Sequence, residues 1–167
     1  MKIKLKVTDG GRQSSGFFQE RRDCTVRSLA NAADIPYSEA HAIAKAAGRT
    51  NGHGYHTSLI LKVAERRGVF TFTQIELPVY LSNGNGQLPT LASVVQHFRD
   101  GRYIVVTRNH AMALVDGVIH DTGLVGARSR VKFVYRIQPT EPVKVAPITQ
   151  PQVNELWERL NRLEARL

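Results

Sequence analysis

Residues 108–122, "RNHAMALVDGVIHDT", place Asp116-Gly117 between two apolar runs. An Asp-Gly pair tolerates the positive φ angles of a two-residue hairpin turn, so the stretch predicts a β-hairpin. That turn sets the pairing register. Val115 pairs with Val118, Leu114 with Ile119, Ala113 with His120 and Met112 with Asp121. Directly opposed residues share a face, as do residues two apart on one strand. His110, Met112 and Asp121 are therefore expected on one face, with His120 on the other. His110 and Asp121 become diagonal neighbours, close enough for a carboxylate to hold one imidazole nitrogen. The competing reading is a core histidine beside an exposed carboxylate.

Outward from the hairpin, "YIVVT" and "VKFVYRI" read as further strands, as do "VFTFTQIEL" and residues 2–7 by their alternation. Helices are expected earlier in the chain. Asp23 is a candidate N-cap for a helix through about Ala33, with Val26, Leu29, Ala30 and Ala33 on one face. Pro36 and Ser38 open a second helix that Gly48 closes. Thr57 caps a third, "SLILKVAERR", and Thr90 a fourth running to about Arg99. Helices first and an antiparallel meander afterwards make an α+β domain, expected over residues 1–137.

The first of these helices begins at Cys24, the chain's single cysteine, in "RRDCTVRSLANAADIP", residues 21–36. A thiol at a helix N-terminus faces unpaired N–H groups and the positive end of the helix dipole, and both favour the thiolate. Arg21, Arg22 and Arg27 add positive charge. A buried structural cysteine is the plain alternative. Cys24 as nucleophile, His110 as base and Asp121 as orienter form a thiol-hydrolase constellation. Such chemistry needs oxyanion donors. The Cys24 backbone N–H supplies one, and the side-chain amide of Gln19, five residues earlier, is a candidate for the second.

These residues carry a resemblance. A Gln shortly before "DC" at a helix start, together with "GRYIVVTRNHAMALVDGVIHDT", resembles the papain-like cysteine peptidases. The likeness is greatest to the bacteriocin-processing peptidase domains of ABC exporters and to small papain-fold proteins encoded by bacteriophages. It spans about residues 17–137. It implies a papain-like fold, in which the Cys-bearing helix packs on an antiparallel sheet that supplies the His and then the Asp. It implies Cys24 as nucleophile, His110 as general base and acid, Asp121 as orienter and Gln19 as oxyanion donor. Thr25 stands where the exporter domains have Gly, and Gln19 lies one residue nearer the cysteine than is usual.

Composition bounds the rest. The chain has 167 residues, 42% of them hydrophobic, which suits one globular core. No run reaches the length of a membrane span. The N-terminus reads as a strand, not a signal peptide, so a cytoplasmic location, or a virion packaged from the cytoplasm, is expected. A net charge of +9 suits acidic partners. Nucleic acid is one of these, but the arginines are scattered and no binding motif or stacking platform is present. His53 and His56 lack further ligands for a zinc site, and the glycine-rich loops lack the context of a phosphate loop, so no cofactor or metal is expected. Residues 138–150 are a Pro-rich linker. In residues 151–167, Val153, Leu156, Leu160, Leu163 and Leu167 make an a/d seam expected to mediate self-association. Two functions follow: a cysteine hydrolase acting on a protein or peptide, or a non-catalytic papain-fold binding or assembly protein.

Overall fold

The computed structural model describes residues 3–82, 87–123, 126–140 and Trp157. Strands β1 (Leu5–Val7), β2 (Phe70–Ile75), β3 (Arg102–Thr107), β4 (Ala111–Val115), β5 (Val118–Asp121) and β6 (Val131–Pro139) form one sheet in the order β1-β5-β4-β3-β6-β2. Helices α1 (Cys24–Ala33), α2 (Tyr37–Ala46) and α3 (Thr57–Arg66) precede β2, and α4 (Leu91–His97) follows a 3-10 turn at Val79–Ser82. The chain is thus an α+β domain.

The hairpin forms in the expected register, with Val115 opposite Val118, Leu114 opposite Ile119 and Ala113 opposite His120. Its turn residues Asp116 and Gly117 have φ of 46° and 74°, the double positive φ that the turn demands. The sheet is not the expected meander. Residues 122–130 are too many for a tight turn, and β6 crosses back to pair with β3 and with β2. β1 runs parallel to β5, which a meander cannot provide; the intervening helices and strands supply the crossover that a parallel pair needs.

Alternation along the central strands sends residues to two clusters. Ile104, Ala111 and Ala113 join Val26, Leu29, Ala40, Ile43, Ile60 and Leu61 of the first three helices. Tyr103, Val105, Met112 and Leu114 join Leu91, Val94 and Val95 of α4. The β4 residues toward α1 are alanines, whose small side chains let the helix lie close against the strand. Val26 and Leu29 are fully buried there, each contributing about 1.5–3 kcal/mol relative to an exposed position. This tight seam holds the start of α1 beside the start of β4.

The ordered domain runs past residue 137. Gln138 and Pro139 pair with Thr71 and Phe70 as the end of β6, and the Thr140 hydroxyl donates to the Gly68 carbonyl at 2.7 Å. The first residues expected as linker are therefore strand. Val153, Leu156, Leu160, Leu163 and Leu167 lie outside the described residues; Trp157 is helical and exposed. Among the described residues no helix is long and apolar enough to cross a membrane.

Candidate active site

The approach to α1 is built from buried charge. Glu20 is almost fully enclosed. Its carboxylate accepts from Arg49 Nη2 at 2.8 Å and from the Gly52 N–H at 2.7 Å, and meets His41 Nε2 at 3.1 Å. Burial alone would raise the Glu20 carboxyl. The Arg49, Gly52 and His41 contacts outweigh it and bring the pKa from 4.5 down to about 2. The chain then passes through Arg22 in the left-handed region, φ 51°, which costs about 1–2 kcal/mol for a residue with a Cβ.

Asp23 stands at the N-cap position but makes no side-chain cap bond. It is 2% exposed and is used differently. It accepts from Arg27 Nε at 3.0 Å and from the Tyr37 hydroxyl at 2.8 Å. Arg27 Nη1 in turn donates to Asp121 Oδ1 at 2.8 Å and to Thr122 Oγ1 at 3.0 Å. Arg27 therefore ties the start of α1 to the end of β5. The sequence reading gave it only a diffuse influence on the thiol. Its signal was present: an i, i+4 spacing from Asp23.

Asp121 spends its other oxygen on His110. Nε2 of the ring hydrogen-bonds Oδ2 of the carboxylate, and the ring lies beside the Cys24 thiol, near enough for each to shift the other's pKa and for both to border one cleft. Cys24, His110 and Asp121 are thus brought together. Met112, grouped with them by alternation, packs instead in the α4 cluster. Alternation governs residues inside the ladder. His110 precedes β4 and lies outside the ladder, whereas Asp121, the last residue of β5, still pairs with Val7 and turns its carboxylate to Arg27 of α1. His120 stays out of the group, half-buried, with its pKa lowered by burial and by Lys6 and Arg102.

The electrostatics of the trio are consistent. The Asp121 hydrogen bond and then that of Cys24 raise His110 to about 9 against burial. Burial pushes the Cys24 thiol up, but the His110 ring, the Ala111 N–H and the charge on His110 together lower it below its ordinary value. Burial likewise raises Asp121, and the bonds from His110 and the Thr122 N–H, with His110 and Arg27 charge, hold it low. Both shifts run in the direction of a thiolate–imidazolium pair, the thiol down and the imidazole up.

Cys24 and His110 face a cleft of about 620 Å³. One wall is the loop Gly54–Tyr55–His56 leading into α3; the other is Arg108, Asn109, Lys132, Phe133 and Tyr135. The loop wall is pinned to α1 by Thr25 Oγ1 donating to the Tyr55 carbonyl at 3.4 Å. The Tyr55 hydroxyl donates to the Ala47 carbonyl. Gly48, with φ +100°, lies directly beneath that hydroxyl; a Cβ there would stand 2.9 Å from it, so the position excludes side chains on two counts.

Gln19 is not part of this cleft. It is exposed and lines a separate depression with Phe17, Phe18, Asn51 and Gly52. The reason lies next door: Glu20 is anchored inward to Arg49 and Gly52, which carries residue 19 to the Asn51 side. The Cys24 N–H, at the first helical position, has no carbonyl four residues back within the helix. Of the two loop histidines, His56 borders the cleft, and His53 ring Nδ1 meets the Asn51 carbonyl at 3.1 Å. No protein-family model, curated protein or solved structure matches the chain.

Proposed function

We propose that the protein is a thiol hydrolase with a papain-like arrangement, cleaving peptide or isopeptide bonds. The observation that carries the reading is the His110 ring, bonded to the buried Asp121 carboxylate and lining one cleft with Cys24, whose pKa it lowers. The papain-like assignment is further supported by a Cys-first helix packed on the strand that His110 precedes.

The Cys24 thiolate attacks the substrate carbonyl carbon, forming a C–S bond as the carbonyl electrons move to oxygen. The Cys24 N–H stabilises that oxyanion. Collapse breaks the C–N bond, and the departing amine takes the proton of the His110 imidazolium. Neutral His110 then removes a proton from water, the hydroxide attacks the thioester, and thiolate leaves with the acid product. Arg27 holds Asp121 so that the carboxylate keeps the ring turned to the thiol.

Alkylation tests this directly. Cys24 should react with iodoacetamide near pH 6, where an ordinary thiol is almost inert, and His110→Ala should remove that reactivity. A wild-type thiol that reacts only above pH 8 sinks the proposal.

One observation favours a second reading. Gln19 stands outside the cleft, so the amide expected as second oxyanion donor is not at Cys24. A papain-fold binding or assembly protein would not need it. The terminal seam suits that role as well, through self-association. Light scattering that finds the same monomer for the full chain and for one ending at Thr140 would remove the association.

A further inference from the structure

The ladder between β3 and β6 slips at one place. Val106 stands opposite Phe133, but Thr107 stands opposite Val131, so Lys132 is an extra residue with no partner on β3. Such a bulge re-aims side chains. In a regular strand Lys132 would share a face with Val134, which packs in the α4 cluster. Val131 takes that place instead, also buried against α4. Lys132 and Phe133 are consecutive, both exposed, and both line the cleft. Arg108, one residue beyond the slip on β3, lines it too.

Neither cation has a carboxylate partner among the described residues, and none of the residues lining the cleft is Asp or Glu. Elsewhere the arginines that matter to the fold, Arg27 and Arg49, are buried against carboxylates. A lysine turned toward a cleft by a local register change, beside a second unpaired cation, differs from that pattern.

We infer that the β6 bulge makes Lys132, with Arg108, a specificity element that binds a carboxylate of the substrate beside the bond to be cleaved. This rests on the hydrolase reading. The carboxylate is that of an internal Asp or Glu, or that of a peptide C-terminus. The cleft's apolar neighbour, Phe133, accommodates the carbon chain next to it. Lys132 and Arg108 touch substrate but take no part in bond making.

The test uses full-length Cys24→Ala protein, which holds peptides without turning them over. Its thermal unfolding is checked against wild type. Fluorescence anisotropy is read with acetylated, amidated peptides carrying Glu, Gln or Lys at one position, and with a Gln peptide bearing a free C-terminus. The Glu peptide should bind about fivefold to tenfold more tightly than its Gln counterpart, the size of one or two partly screened ion pairs. Lys132→Glu should abolish or reverse the order, and added salt should shrink it. If instead the free-C-terminus peptide alone gains, the carboxylate is terminal. Equal affinities, no peptide binding, or a single-stranded oligonucleotide that displaces every peptide overturns the inference.

With Cys24 intact, the rate ratio of iodoacetate to iodoacetamide alkylation should fall from wild type to Lys132→Glu; an unchanged ratio counts against the inference independently of any peptide. The hydrolase reading fails separately, through a thiol inert near pH 6, even where the Glu preference holds.

Discussion

Three carboxylates are buried against arginines around α1, Glu20, Asp23 and Asp121, and Glu20 and Asp121 end differently. Glu20 meets Arg49, Gly52 and His41, and both side-chain partners, Arg49 and His41, are themselves buried. Asp121 meets Arg27 with one oxygen and His110 with the other, and His110 is a third exposed and borders the cleft. The first network is closed and the second is open at one end. A closed network stabilises a conformation. An open one, ending on a titratable ring beside a thiol, also sets the state of a group that solvent and substrate can reach. Burial and ion pairing alone do not separate brace from site; where the last hydrogen bond points does.

The largest contrast is expected at the open end. On the proposed hydrolase reading, Cys24→Ser and His110→Ala should each lower turnover by about a thousandfold or more, as when a nucleophile or its base is removed. Neither should shift the unfolding midpoint by more than a few degrees, because serine is nearly isosteric and the His110→Ala site is partly exposed. Turnover retained by the serine variant would move the chemistry away from Cys24. The pair should titrate together. Activity rises as the thiolate forms and falls as pH passes the His110 value of about 9.

At the closed end the expected effect is on stability. Glu20→Ala leaves Arg49 buried without its carboxylate, and breaking such a pair costs about 3–5 kcal/mol. The pH sign follows from the depressed pKa. Glu20 has a folded value of about 2 against an ordinary 4.5, so its contribution is complete above about pH 5 and is lost as pH falls toward 2. That loss is on the order of 3 kcal/mol. Glu20→Gln should flatten this acid limb while leaving the rate per folded molecule close to wild type. A drop in that rate at full folding would make Glu20 part of the site and dissolve the distinction.

Asp121 belongs to both kinds of role, so its conservative change should give an intermediate result. Asparagine can still orient the ring, so the expected loss of turnover is smaller than that of His110→Ala. A second readout separates orientation from mere folding. Asp121 is the first cause of the raised His110 value, so Asp121→Asn should bring the alkaline limb down from about 9. An alkaline limb that stays put would mean the carboxylate does not govern the ring.

What was legible in the sequence was local. Asp116-Gly117 dictates its turn chemistry, the turn dictates the register, and the β4–β5 pairs follow without knowledge of the rest of the chain. The helices were legible from their periodicity, and Thr90 does cap α4, accepting from the Ser93 N–H at 3.2 Å. Long-range choices were not legible. β6 pairs with β3 and β2 because of which faces the α4 and α1 clusters cover, and a strand's own alternation does not name its neighbour. The same limit applied to Met112: the contact of His110 with Asp121 was anticipated, but His110 makes it from outside the ladder while Met112 packs against α4. Asp23 was read as a cap from its position. It is drawn inward because Arg27, one turn on, is buried and needs a carboxylate.

The smallest expected effect is at Gln19, and it separates a residue near the site in sequence from one in it. An oxyanion donor, when removed, costs a hundredfold to a thousandfold in rate. An exposed side chain away from the machinery changes stability by about 0.5 kcal/mol or less, and rate by little more than twofold. Gln19 is exposed and lines the depression beside Asn51, not the cleft of Cys24, so Gln19→Ala should fall in the second class. Both kcat and KM should stay within about twofold of wild type, since no transition-state contact is lost. A hundredfold loss in kcat with unchanged KM would mean that substrate draws residues 16–19 over Cys24 and completes the oxyanion hole in the complex. That motion would have to leave Glu20 seated on Arg49, because unseating it would expose the acid-labile brace. The two cases are told apart by measuring the acid unfolding limb with and without a bound aldehyde inhibitor: a limb that moves with inhibitor ties the loop's anchor to the site, and one that does not keeps the two buried carboxylates independent.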